Sequence, residues 1–133
     1  MLDVRGDLYD AYRLMEKRVR AVSRQDPVCK LLMTAPGVGP ITALSFKAAI
    51  DDPTRFKSSR LVGAHFGLTP RRFQSGEMDN TGRISRAGDR DVRATLYIAA
   101  NSLLIVSGKP SSLKSWGLKL IRTKGVRRAR IAV

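Results

Sequence analysis

The sequence predicts a mainly α-helical fold of about five helices, with a helix-hairpin-helix unit and room for a short β-hairpin around Phe73 to Arg83. Three observations lead there. Apolar residues recur at spacings of three and four in several stretches. Asp-Pro, Pro-Gly and Gly-Pro steps break those stretches at short intervals. A single segment, residues 68–85, is crowded with turn formers and lacks a helical period. With 133 residues and 43% hydrophobic content, the chain can bury one core but not two. We therefore divide it into residues 1–25, the end of a coiled-coil-like helical arm, and residues 26–133, one domain.

The elements follow in order. From Val4 to Ser23, Leu8, Tyr12, Met15, Val19 and Val22 form a narrow apolar stripe between charged residues, as in a coiled-coil arm or one member of a helical pair. Asp26-Pro27 supplies an N-cap and a proline at the first helical position, so Val28 to Met33 predicts a short buried helix that Pro36-Gly37 ends. Pro40 to Ile50 predicts a second helix, with Asp51-Asp52-Pro53 as its breaker. Ser58 or Ser59 to Phe66 predicts a third, closed by Gly67. Residues 68–85 contain Pro70, Gly76, Asp79, Asn80, Gly82 and Ser85 and predict an irregular loop or a short hairpin. Asp89 to Val106 is the main core helix, with Val92, Leu96, Ala99, Ala100, Leu103 and Leu104 on one face. Ser111 to Thr123 predicts an amphipathic helix with Leu113, Trp116, Leu120 and Ile121 inward. Arg127 to Val133 reads as the opening of a further helix, so the basic C-terminal helices of 89–133 are expected to be truncated.

The formal charge is +14, from 25 Lys and Arg against 11 Asp and Glu, and favours a polyanionic partner, because each neutralised phosphate releases counterions. From Arg93 to Val133 there are nine basic residues and no acid. Lys119, Arg122, Lys124, Arg127 and Arg128 make up a basic tail suited to phosphate. Cys29 is the lone cysteine, which excludes an internal disulfide and fits a reducing cytoplasm, where we expect the chain to associate with the nucleoid. No apolar run reaches the roughly 20 residues needed to cross a bilayer, so no membrane role is expected.

Residues 35–43, within a unit spanning about 27–50, have the form of a helix-hairpin-helix. Gly37, Val38 and Gly39 allow a tight turn, and the N–H groups of the turn and of the next helix face a DNA phosphate without reading bases. Thr42 and Lys47 are placed to add side-chain contacts, and a plain turn between two helices is the alternative. In the segment of about 68–86, Ser75 has Arg71 and Arg72 before it, Arg83 and Arg86 after it, and Gly76 beside it. Attack by a serine on a phosphodiester needs cations around the five-coordinate phosphorus, and arginine supplies permanent charge. Of the eleven serines Ser75 alone combines a turn with arginines on both sides; Ser85 competes but reads as a cap or phosphate ligand, and the residues also fit a plain loop serine at position 75. His65 reads as a packed ring, Tyr97 as core, and the carboxylates at 51–52, 77–79 and 89–91 as caps. No metal-ligand spacing occurs and no cofactor is expected in this chain.

Several blocks carry a family resemblance: Pro36-Gly37-Val38-Gly39-Pro40-Ile41-Thr42-Ala43, Asp52-Pro53 to Ser58, Gly67-Leu68-Thr69-Pro70 with Gln74-Ser75-Gly76, and Gly82 to Asp89. In this order they resemble the C-terminal domain of the IS110 family of insertion-sequence transposases, over roughly residues 27–125. The resemblance implies a DNA transposase in which Ser75 is the nucleophile, held with an N-terminal RNase-H-like domain whose four acidic residues bind Mg2+. It also implies DNA, a structured bridge RNA that guides the element, and further copies of the chain as partners. These 133 residues do not contain the acidic domain, so on their own they are expected to be inactive. The alternative is a non-catalytic module that binds DNA through its helix-hairpin-helix or binds a structured RNA.

Overall fold

The computed structural model describes residues 2–75 and 78–133, and side chains for residues 4–71 and 82–133. Seven α-helices and one two-stranded antiparallel sheet are present among the described residues. Helix α1 spans Leu2–Gln25, α2 Pro27–Leu32, α3 Pro40–Ile50 and α4 Ser59–His65. Strands β1 (Pro70–Ser75) and β2 (Met78–Ile84) follow, then α5 (Arg90–Asn101), α6 (Ser112–Lys124) and α7 (Val126–Ala132). The mainly helical expectation holds, but the helix count exceeds five. The reason lies in the breaks. Asp26 caps α2 by accepting from Cys29 N, separating it from α1, and Gly125 at φ +82° separates α7 from α6. A 3-10 turn at Pro53–Arg55 and a wide π turn at Ser102–Val106 complete the chain.

The core sits where α3, α4 and α5 meet. Ile50, Phe66 and Val92 are buried there, with Phe46, Phe56, Val62, Leu68 and Leu96 packed around them. The rings of Phe46 and Phe66 lie 5.6 Å apart at a tilt of 48°. Helix α5 buries Val92, Ala99, Ala100 and, through the π turn, Leu103 and Leu104, the face its periodicity marks. Its start is fixed by Asp89, whose carboxylate accepts from Asp91 N at 2.7 Å and Val92 N at 3.1 Å.

Two expectations about burial are corrected, those for α2 and α6. Helix α2 buries Cys29 alone, leaving Val28 and Leu31 exposed. In α6, Leu113 and Trp116 face outward, and the contact with the core is made by Gly117, where a Cβ would stand 2.5 Å from Leu104 Cδ2. A side chain there would hold the helix off. The stripe of α1 is exposed at Leu8, Tyr12, Met15 and Val22, because only the end of that helix reaches α2 and α3, where Ser23 is fully buried.

The segment of turn formers folds as the hairpin. Its register pairs Pro70 with Ile84, Arg72 with Thr81, Phe73 with Asn80, Gln74 with Asp79 and Ser75 with Met78, with an irregularity between Pro70 and Arg72. Its base is tied to the end of α4: Leu68 N donates to Gly63 O, Ser85 N to Thr69 O and Arg86 N to Gly67 O, each at 2.9 Å. Gly67, at φ +65°, makes this junction, and Arg86 opposite it takes φ +58°, a left-handed conformation.

Candidate nucleic-acid interface

The residues expected to hold phosphate fall into two groups. The first is the connection of residues 33–39 between α2 and α3. Gly37, at φ +88°, lies against α5, with Ala99 O and Leu103 N where a side chain would begin. Val38 N donates within the turn to Ala35 O at 3.1 Å, so this N–H is already committed. Gly39 is the N-cap of α3 and has no side chain to cap it, and Pro40 occupies the first turn. The start of α3 is thus a helix N-terminus without a capping side chain, and no atom lies within 4 Å of a Cβ built at Gly39.

Thr42 and Lys47, expected to add contacts there, point elsewhere. Thr42 is buried at 8% exposure, facing the apolar wall shared with Leu31, Phe46 and Leu96. The Lys47 ammonium donates to Asp26 Oδ2, bracing α3 against the start of α2. The Lys47 hydrogen bond and the N–H of Cys29 hold the Asp26 carboxyl at about 2, below its ordinary 3.8, while Asp26 raises Lys47 above 10.5. Burial, followed by the charge of Asp26, pushes the Cys29 thiol up, consistent with a structural cysteine.

A lowered carboxyl pKa stabilises the fold above the unfolded value, near 3.8, and its contribution is lost as pH falls through about 2. A raised lysine pKa contributes below 10.5 and loses that contribution as pH rises through the higher folded value. Asp26→Asn should therefore reduce stability from pH 4 to 10 and lose its disadvantage between pH 4 and 2. Urea midpoints across that acid range check this; parallel curves for parent and variant would reject the ion pair as the cause.

The second group surrounds the hairpin. Arg71 is exposed and donates from Nη2 to Ser85 O at 3.1 Å, crossing from one strand to the end of the other. Arg83 and Arg86 are exposed as well. Ser75 is the last residue of β1, paired with Met78 at the end of the ladder away from the base. The side chains of Ser75 and Arg72, and Gly76 altogether, lie outside the described residues. Ser85 is half-buried and its Oγ accepts from Ala87 N at 3.5 Å, a local contact of the capping kind expected of it.

Other candidates take structural places. The His65 ring stays exposed, edge-on to Phe56 at 5.3 Å and to Phe66 at 5.1 Å. Asp52 caps the 3-10 turn through Thr54, whose side-chain and backbone hydrogen bonds lower its pKa. Among the described residues no group of three His, Cys, Asp or Glu could hold a metal ion. Lys119, Arg122, Lys124, Arg127 and Arg128 are all exposed along α6 and α7.

Sequence reasoning missed Arg93 and Arg130. Arg93 Nη1 donates to Phe66 O at 3.2 Å and Gly88 O at 2.5 Å, pinning the hairpin junction to α5. Arg130 Nη1 donates to Tyr97 OH at 3.1 Å, with its guanidinium over that ring. Both arginines stand in the acid-free C-terminal stretch, and that absence of local carboxylates was the available signal.

The profile of the family described as Transposase IS116/IS110/IS902 matches residues 29–116. The chain is 34% identical over 119 residues to the transposase for insertion sequence element IS1111A of Coxiella burnetii, covering 89% of this chain and 33% of that protein. It is 33% identical over 114 residues to the putative transposase y4pF/y4sB of Sinorhizobium fredii, covering 84% and 30%. A probable family 20 transposase of Pseudomonas aeruginosa is 31% identical over 90 residues, or 68% and 27%. The chain thus spans about a third of the length of the curated relatives it matches. Among the described residues no helix is long and apolar enough to cross a membrane.

Proposed function

This chain belongs to the Transposase IS116/IS110/IS902 family, and from that premise we propose that it is the serine-bearing, DNA-binding part of an insertion-sequence transposase. The observation that carries the reading is the hairpin. It places position 75 at the far end of a two-stranded ladder, with exposed Arg71, Arg83 and Arg86 along its length and base. In the proposed step Ser75 Oγ gives up its proton and bonds to a DNA phosphorus, the phosphorus–oxygen bond to one sugar breaks, and the departing sugar oxygen takes up a proton in its place. Arginine charge offsets that growing on the phosphoryl oxygens: Arg72 is the nearest to position 75 along β1, while Arg71, Arg83 and Arg86, toward the base of the ladder, hold adjoining phosphates. The α2–α3 connection, with Gly37, Val38 and Gly39, acts as a helix-hairpin-helix that holds a neighbouring phosphate on the open start of α3.

Among the described residues, Asp52 and Asp89 are occupied as caps. Mg2+ belongs to an acidic RNase-H-like domain that completes the composite site. A structured RNA is the further partner, held on the exposed tail of Lys119, Arg122, Lys124, Arg127 and Arg128. The exposed apolar face of α1 supports self-association.

The test is a full-length family member carrying residues 27–125 of this chain, incubated with its RNA and an end-labelled DNA. Ser75→Ala should abolish the covalent protein–DNA adduct while DNA binding persists, and neutralising the five tail residues should reduce RNA affinity more than DNA affinity. An undiminished adduct with Ser75→Ala would refute the nucleophile; DNA binding alone would then describe the domain.

A further inference from the structure

A cleft of about 410 Å³ opens between α5, α7, the α2–α3 connection and the base of the hairpin. Its size and lining suit a small ligand with an apolar body: the walls include Val38, Leu68, Leu103 and Ile131. Two cations, Arg93 and Arg130, share it with Tyr97. Arg130 Nε is shut off from solvent and has no hydrogen-bond partner, although Nη1 reaches Tyr97. No Asp or Glu side chain lines the cleft. The two guanidinium groups on the cleft wall give charge-assisted donors to an oxyanion there. The occupant therefore combines an apolar, flat or compact body with a negative charge.

We propose that this cleft receives one unpaired nucleotide, its base against the apolar wall and the Arg130 guanidinium plane, and its phosphate on Arg130 and Arg93. The net charge of +14 favours a phosphodiester over a protein carboxylate as the source of the anion. A base stacks on an arginine plane and on apolar walls without needing a particular sequence. The cleft also lies between the two elements assigned to DNA above, the α2–α3 connection and the hairpin base, so a strand leaving one toward the other passes its mouth. The inference rests on the nucleic-acid reading and adds a preference for a single strand at this point.

Affinities of the whole 133-residue chain for a short fluorescein-labelled single-stranded DNA and for its duplex test the proposal. Arg130→Gln should weaken single-strand binding about tenfold and duplex binding less than about twofold. Ala94→Trp fills the cleft from an exposed position and should do the same without touching the buried core. Gly39→Leu, where a side chain meets nothing, should give the reverse pattern. Equal losses on both DNAs, or no loss with either cleft variant, would overturn the assignment while leaving duplex binding in place. Absence of all DNA binding by the parent chain would remove the nucleic-acid reading as well. An acidic, aliphatic peptide that binds through Arg130 and is not displaced by excess single strand would give the cleft to a protein segment instead.

Discussion

Phe66→Ala is expected to lower the unfolding free energy by about 3–5 kcal/mol, a large share of what a domain of this size possesses. Phe66 is 1% exposed and is the largest fully buried side chain among the described residues. Its ring packs on Phe46 and His65 and closes the cluster formed with Ile50 and Val92. Its backbone is engaged too: Phe66 N donates to Val62 O at 3.1 Å, and Phe66 O accepts from Arg93. Removal of the ring therefore leaves a void at the point where α3, α4, α5 and the hairpin base converge. Urea unfolding followed by far-ultraviolet circular dichroism measures the loss, with Leu31→Ala, at a site 71% exposed, as the comparison. A loss below about 1 kcal/mol would show that the cluster is not the core.

Gly88→Ala is expected to cost about 1–3 kcal/mol or more, although a helix follows at once and alanine is the better helix former. A Cβ at Gly88 would lie 2.1 Å from His65 O and 2.6 Å from Phe66 Cα. Both are backbone atoms, which cannot swing aside as a flexible side chain would. The α4–β1 junction would have to separate from the start of α5, loosening the two hydrogen bonds of Arg93 that cross it. Gly108→Ala, where no atom lies within 4 Å, should change stability by less than about 0.5 kcal/mol. Thermal unfolding of the pair separates the two cases; equal behaviour would mean that the close approach at Gly88 carries no load.

Local chemistry made much of this fold legible. Pro40 and Asp51 bound α3, Asp89 caps α5 and Ser111 caps α6, each acting on neighbours within a few residues. The five basic tail residues were expected in the open and are exposed. What escaped notice depends on distant partners. Lys47 reads as a free cation until α3 folds back beside Asp26, 21 residues earlier. Arg130 and Tyr97 are 33 residues apart, so their pairing has no local trace. The orientation of α6 is decided by Gly117, and a periodicity built on apolar side chains cannot register a contact made by the lack of one. The exposed stripe of α1 shows the opposite limit: spacing reveals which residues share a face, not whether anything covers it.

Gly37 and Gly88 press main chain onto main chain near opposite ends of α5, the first at Ala99 and Leu103, the second at His65 and Phe66. With no compressible side chain at either seat, the twelve residues of α5 behave as a strut about 18 Å long between two bearings. A push on the turn between α2 and α3 is thereby delivered to the root of the hairpin with little slack. Under the proposed function, holding a phosphate at that turn and aiming the hairpin would be a single mechanical adjustment.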